Sequence, residues 1–242
     1  GQLYQIAPRP ESPLYNERLA TQYLEYNVEL ANDYLDRVGL TERDSEGYRL
    51  RPDGQRLVIP FVIPDINVDY PVIMGYVAED WKAVGVEVTI ELKARQNLGV
   101  NGSNHVGVVW DSDGGTDVIL EARYYVPAGT GANYYAPRWV RWFSDPNDEF
   151  AVEPPQYVKD HVALFQEINL TANQDRQMEI MKQVLEMSAD NFYVMGIALH
   201  EPLYGLVANN FRNVPEVMPL AYRYPTPGPS NPEQYYIIPE DA

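Results

Sequence analysis

The sequence predicts an α/β fold, a mixed sheet flanked by helices, and three observations carry that expectation. An apolar stripe at helical spacing stops at Gly39. A second such stripe stops at Gly85, and a strand of alternating apolar and polar residues begins directly after it at Val86. Helix, glycine and strand in immediate succession are the parts of a layered α/β unit, because each brings an apolar face that only another layer can cover.

The first helix is expected from Leu19. Leu24, Val28, Ala31, Leu35 and Val38 recur at steps of four and three and line one face. Gly39 suits the position just past the helix, where the left-handed conformation costs glycine nothing. Asp44-Ser45-Glu46-Gly47 and Arg51-Pro52-Asp53-Gly54 then read as a hairpin or a pair of tight turns. The run Leu57–Ile63 is apolar on both faces, as a strand covered on both sides would be. Pro60 lacks an N–H and is expected to put that strand at a sheet edge or to mark a bulge. Pro71–Val84 is the second helix, with Ile73, Val77, Trp81 and Val84 as its buried stripe and Trp81 in the core. In Val86–Leu92 the apolar residues alternate with Glu87, Thr89 and Glu91, which describes a half-buried strand.

The stretch 106–150 holds short strand-like runs in a polar, aromatic background with three of the four tryptophans. Glu153-Pro154-Pro155 opens a helix that buries Val158, Val162, Phe165 and Ile168. Another helix starts near Asn173, with Met178, Met181, Leu185 and Ser188 on one face. Phe192–Leu199 reads as a strand that Leu203–Ala208 continues, and the tail from Tyr222 is expected to be irregular. The division expected from these patterns is an extended, linker-like segment at 1–17, an α/β lobe at 18–204 and an irregular C-terminal segment at 205–242.

Composition removes several function classes. The 242 residues carry 35 acidic side chains against 18 Lys and Arg, a formal charge of −17. Such a surface repels phosphate backbones and anionic lipid, so nucleic acid and direct membrane insertion are not expected; its plain consequence is solubility. With no cysteine there are no disulfides, thiolate nucleophiles or Cys-type metal sites. No apolar run reaches the roughly 20 residues of a membrane span, and the first residues lack the basic-then-apolar pattern of a secretory signal.

The order of motifs also resembles the family 5 solute-binding proteins of ABC transporters. The matching text is Ala31-Asn32-Asp33-Tyr34-Leu35-Asp36-Arg37-Val38-Gly39, then Asp44, Gly47, Arg49, Asp53-Gly54 and Leu57, then Ala78-Glu79-Asp80-Trp81-Lys82-Ala83-Val84-Gly85-Val86-Glu87-Val88. Val109-Trp110-Asp111, Glu153-Pro154-Pro155 and Arg212-Asn213-Val214-Pro215-Glu216 are further points of likeness, and together they cover residues 20–220. The resemblance implies the C-terminal lobe of a two-lobed, periplasmic-binding-protein-like (class II) fold that closes on a solute and hands it to a permease. It implies a longer protein with an N-terminal lobe, against which residues 205–242 would pack.

Other chemistries find little support. An EF-hand-like cation loop at Asp44–Asp53 is broken by Ser45-Glu46-Gly47, so a plain turn is expected. His105, His161 and His200 are far apart and form no zinc pair, which leaves structural or surface roles. Gly102-Ser103-Asn104 and Gly129-Thr130-Gly131 lack the Lys-Ser/Thr of a phosphate loop, and no Gly-x-Ser-x-Gly elbow occurs. Asp111, Asp113 and Asp117 beside Trp110 allow three readings: a turn next to a core tryptophan, a loop that binds solute, or a carboxylate pair of a glycosidase. Trp139 and Trp142 can stack on a solute or fill the core. Arg123 and Arg141 are expected to pair with nearby carboxylates.

The expected function is capture without chemistry. The candidate binding residues are Trp110, Asp111, Asp113, Tyr124, Trp139 and Trp142, with no catalytic residue, metal or cofactor. A peptide would be favoured by Asp111 or Asp113 meeting its amino terminus, and an oligosaccharide by stacking on the tryptophans. The expected setting is a periplasmic or extracellular monomer held at the membrane through its permease. A glycoside-active enzyme using Asp111 and Asp113, or a protein-interaction module, are the alternatives.

Overall fold

The computed structural model describes residues 1–66, 69–94, 107–108, 118–127, 134–199, 201, 203–218 and 227–239. The first half runs β1 (Gln2–Leu3), α1 (Glu17–Thr21), α2 (Val28–Arg37), β2 (Val58–Pro64), α3 (Tyr70–Ala83), β3 (Glu87–Lys93) and β4 (Gly107–Val108). The second half runs α4 (Pro137–Ser144), α5 (Gln156–Leu170), α6 (Gln174–Asn191), β5 (Ala198–Leu199), β6 (Phe211–Arg212) and β7 (Tyr236–Ile237). Two compact units result: an inner one from 25–111 and 129–154, and a terminal one from 1–24, 112–128 and 155–242. The chain passes between them several times.

The inner unit is organised on a three-stranded sheet of order β3-β2-β4, parallel at both junctions. Parallel neighbours need a crossover, and α3 provides it between β2 and β3. Phe61, Ile63 and Met74 form the buried cluster, with Ile59, Val77, Trp81 and Val88 packed around it. The rings of Phe61 and Trp81 meet edge to face at 5.3 Å, so Trp81 is a core residue as expected. The buried stripe of α3 is offset from the expected one. It runs Met74, Val77, Trp81 and Val84, while Ile73 is 42% exposed.

Pro60 does not put its strand at an edge, because β2 lies between β3 and β4. Among the described residues β4 pairs with Phe61 and Val62 only, so Pro60 faces Thr89 of β3 and sits just outside the second ladder. A missing N–H is tolerated where only one neighbour asks for it. In β3, Val88 packs on the cluster while Ile90 and Leu92 are exposed.

The single helix expected from Leu19 is two. α1 ends at Thr21, Tyr23 takes a left-handed φ of 57°, and Asn27 starts α2 by accepting a hydrogen bond from the Leu30 N–H at 2.9 Å. No residue of α2 is fully buried. The end of α2 is as expected. Gly39 has φ 86°, its N–H reaches Asp36 O, and the Leu40 N–H reaches Leu35 O, the paired bonds of a Schellman cap. Gly85 ends α3 in the same way, through Gly85 N–H to Lys82 O and Val86 N–H to Trp81 O. There a side chain is doubly excluded: φ is 86°, and a Cβ would lie 2.9 Å from Gly47 O.

These two caps meet at Arg49, a residue only 1% exposed. Its Nε donates to Val84 O at 2.8 Å, its Nη2 to Asn32 Oδ1 at 2.7 Å, and its Nη1 to Asp36 Oδ1 at 2.5 Å and to Leu40 O. Its backbone N–H donates to Gly85 O and its carbonyl accepts from Leu57 N–H. The two tight turns that precede β2 are present as expected. Asp44 Oδ1 accepts from the Glu46 and Tyr48 N–H groups and Oδ2 from Arg56, so this carboxylate holds a turn.

In the terminal unit α5 and α6 pack on each other. The stripes are Val158, His161, Val162 and Ile168 on α5, and Ile180, Met181, Val184, Leu185 and Ser188 on α6. Phe165 and Met178, expected on those stripes, are half-buried at their margins. Residues 1–17, expected to run as a linker, bury Tyr4, Ala7 and Leu14. Gln5 ties this segment down: its N–H donates to Ala20 O, its Nε2 to Gln22 O, and its Oε1 accepts from the Gly196 N–H at 2.7 Å. β1 pairs antiparallel with β5, Gln2 opposite Leu199. The strand expected over 192–199 is thereby reduced to its last two residues, since Phe192 closes α6 with φ 45°. Residues 203–208 form no strand, and Tyr204 and Leu206 are almost wholly exposed. Beyond them β6 pairs with β7 and two short 3₁₀ turns precede β7.

Two predictions follow from buried polar groups. Arg49→Ala leaves Leu40 O without its side-chain donor and Val84 O and Asn32 Oδ1 with Arg43 alone, and it takes the buried cation from Asp36, so urea unfolding should show a loss of about 3–5 kcal/mol. Arg49→Lys should recover little of it, because one ammonium cannot reach three directions. An equal stability for wild type and Arg49→Ala would show that the network does not hold the fold.

His161 Nε2 lies 2.9 Å from Val184 O, so that nitrogen carries the proton and Nδ1 accepts from the Tyr193 hydroxyl at 3.3 Å. Burial pushes this imidazole down from 6.5 to about 4, against the opposing pull of the Val184 carbonyl. Its folded value is depressed, so the unfolded chain binds more protons and the stability from the neutral ring is complete above 6.5 and lost on acidification toward 4. The difference is about 3 kcal/mol. Denaturant melts from pH 7 to 4 should therefore fall more steeply for wild type than for His161→Gln, and parallel curves would refute the assignment.

Candidate functional site

The expected binding residues divide between the units. Trp139 and Trp142 lie on α4 in the inner unit and Tyr124 lies in the terminal unit. Trp110, Asp111 and Asp113 fall outside the described residues, as do His105 and His200.

α4 exists because Pro137 opens it with φ already set and Asp145-Pro146 stops it. The sequence patterns gave no helix here, since eight residues hold barely two apolar repeats. Trp139 and Trp142 are three apart and therefore share a face, with Phe143 beside them. All three are half-buried, and the rings of Trp142 and Phe143 meet edge to face at 5.3 Å. The turn after α4 folds back on the helix. Asp145 and Asp148 accept from the N–H groups of Asn147 and Phe150, at 2.9 and 2.8 Å. The Val152 N–H donates to Arg138 O at 3.1 Å.

That turn engages both cations of α4. Arg141 Nη1 is 3.1 Å from Asp148 Oδ2, with its guanidinium 5.7 Å from the centre of the Phe150 ring. Arg138 Nε donates to Phe150 O at 3.0 Å. The pairing of Arg141 with a nearby carboxylate is as expected. Asp148 and Phe150 were not singled out by sequence reasoning; the run Asp145-Pro146-Asn147-Asp148 was the available signal, since such residues favour turns.

Tyr124 sits on a 3₁₀ turn at Ala122–Tyr124. Arg123 pairs with the buried carboxylate of Glu121 and lies 5.7 Å from the Tyr124 ring centre, so this arginine too is matched by a carboxylate. The segment is anchored through Ala122, Tyr125 and Val126, all buried, and Tyr125 O lies 2.6 Å from Ser188 Oγ of α6. Tyr124 itself is half-buried.

A depression of about 340 Å³ in the terminal unit is lined by residues of 14–18 and of α6, among them Arg18, Lys182 and Glu186. None of the expected binding residues lines it. Arg18 is bound to Glu186 and Asp190, and Asn16 donates to Glu186 at 2.6 Å. Among the described residues no group of His, Asp and Glu side chains is placed to hold a metal ion. No helix among them is long and apolar enough to cross a membrane.

Solved structures place this architecture. An oligopeptide-binding protein, OppA, superposes with a TM-score of 0.76 at 26% identity over 99% of this chain and 40% of its own. The periplasmic binding protein MelB from Agrobacterium fabrum, in complex with stachyose, matches at 0.63 with 16% identity over 81% of this chain and 29% of its own. NikA from Brucella suis, in complex with Fe(III)-EDTA, matches at 0.55 with 14% identity over 78% of this chain and 35% of its own. The sequence matches no protein-family model and no curated protein. The chain has the α/β fold of class II periplasmic binding proteins, and it spans 40% of the length of the oligopeptide-binding protein. The first two of these structural neighbours are described as binding proteins, for oligopeptides and in complex with stachyose.

Proposed function

We propose that this chain is the C-terminal lobe of a solute-binding component of an ABC importer, and that it captures a peptide or oligosaccharide without chemistry. The observation that carries this reading is the superposition of nearly the whole chain on an oligopeptide-binding protein. Solutes of both kinds occur among the neighbours, one of which holds stachyose. Residues 18–204 supply the lobe, and 205–242 would pack on an N-terminal lobe.

Trp110, Asp111, Asp113, Tyr124, Trp139 and Trp142 are the proposed contacts. Aromatic rings supply a large flat contact area with few rotatable bonds, so little entropy is lost on binding. Closure over the solute expels water and strengthens the remaining polar contacts, and the closed form is what a permease would recognise. The protein would act as a periplasmic or extracellular monomer, at the membrane only through its transporter.

The test is a thermal-shift screen of short peptides and oligosaccharides, with each hit recovered and weighed by mass spectrometry. A ligand at 100 times its Kd stabilises the folded state by about 2.7 kcal/mol, which should raise the melting temperature by about 5–10 °C. Hits recovered unchanged support capture. Cleaved products would overturn it in favour of an enzyme, and a screen without any shift would remove the solute-binding reading.

A further inference from the structure

The end of α5 carries the text Glu167-Ile168-Asn169-Leu170-Thr171. An asparagine followed at the second position by Ser or Thr, with no proline between, is the acceptor pattern for N-linked glycans. Bacterial-type oligosaccharyltransferases ask in addition for an acidic residue two positions before the asparagine, and Glu167 meets that demand. The chain holds one other Asn-x-Ser/Thr, Asn101-Gly102-Ser103. It has Gly99 where the acid would stand, and it falls outside the described residues.

The fold presents this text at a surface. Ile168 is the last buried residue of α5 and anchors the segment in the terminal unit. Asn169 is exposed and Leu170 is 88% exposed, so neither adds to the packing. The helix stops at Leu170, and Thr171 already has extended backbone, with φ −105° and ψ 117°. The asparagine thus sits in the last helical turn, where fraying costs least. The ties across that turn lie at its surface. Thr171 Oγ1 donates to Glu167 O at 2.7 Å, Gln177 Nε2 to Thr171 O at 2.7 Å, and the Glu167 carboxylate pairs with Arg176 at 3.0 Å. The Asn169 amide takes part in none of these.

We propose that Asn169 is an N-glycosylation site, with a polyprenyl-pyrophosphate-linked oligosaccharide as the co-substrate. Asn169 Nδ2 forms a bond to the anomeric carbon as the bond from that carbon to the pyrophosphate oxygen breaks. The pyrophosphate leaves with the electron pair, and Nδ2 gives up one proton. Opening of the last turn of α5 releases Thr171 Oγ1 from Glu167 O. The hydroxyl and the Glu167 carboxylate then flank the acceptor as the two groups the transferase reads. This inference needs the periplasmic or extracellular setting of the reading above and nothing of its solute.

The experiment exports the full chain to the periplasm of a bacterium that carries a bacterial-type oligosaccharyltransferase and its lipid-linked oligosaccharide. The transferase's own acceptor protein is made in the same cells as a control. Recovered protein with unchanged far-ultraviolet circular dichroism is read by intact mass and by sequencing of its glycopeptides. The expected result is a mass gain of one glycan on Asn169. It should be lost in Asn169→Gln and Thr171→Ala and kept in Thr171→Ser, and it should fall in Glu167→Gln and return in Glu167→Asp. With the control acceptor glycosylated, a bare chain overturns the proposal, and so does a glycan found on Asn101 alone. The solute reading is unaffected by either result, because the thermal-shift screen judges it on the unmodified chain.

Discussion

The inner unit depends on one guanidinium. Arg49 collects the C-terminal carbonyls of two helices, Leu40 just past α2 and Val84 at the end of α3, and its own backbone leads into the strand β2 through Leu57. Helix ends carry unpaired carbonyls and a partial negative charge, so a buried cation there is matched by several dipoles. This explains why the two helices end in the same Schellman geometry. Each glycine turns its chain so that the last carbonyls point inward to a shared donor. The turns Asp44–Tyr48 and Arg51–Gln55 then have one purpose, to deliver Arg49 to that point and return the chain to the sheet. Arg56, stacked 4.4 Å over Tyr48 and bound to Asp44, Glu46 and Glu87, closes the outer side.

Much of this was legible in the sequence because it is local. A glycine after an apolar stripe, an Asp-x-x-Gly turn and an alternating strand each state their geometry within a few residues, and α3, β3, α5 and α6 appear where those signals put them. The misreadings came where a distant partner decides. Pro60 suggested an edge, yet β2 is central, since the second neighbour joins one residue later. The apolar run Phe192–Leu199 suggested a strand, yet only Ala198–Leu199 has a partner, and that partner is Gln2–Leu3 at the other end of the chain. The prolines of residues 1–17 suggested a linker, yet Tyr4 and Leu14 are buried, with Gln5 held by the distant Gly196 and Leu14 close to Leu185 of α6.

The candidate site was legible in residue type and not in arrangement. Trp139 and Trp142 were picked out as aromatic surface, but their common face needs α4, a helix too short to announce itself by periodicity. The pairing of Arg141 was foreseen in kind; the identity of Asp148 depends on a turn that folds back seven residues later. Glu121 and Arg123 lie two apart, and nothing in the sequence says that the carboxylate is buried while the guanidinium keeps it company. Such facts follow from which side of a backbone faces inward, and that is decided by the whole unit.

The pairing of Gln2 with Leu199 has a consequence for synthesis on the ribosome. The inner unit gathers its β2-α3-β3 core from one continuous stretch and can condense as soon as that stretch has emerged. The terminal unit cannot: β1 finds its partner β5, and α1 its neighbour α6, only once the stretch 174–199 has been made. In that interval the β2-α3-β3 core stands formed while Gln2–Leu3 still lacks its partner strand, so the two units mature in turn.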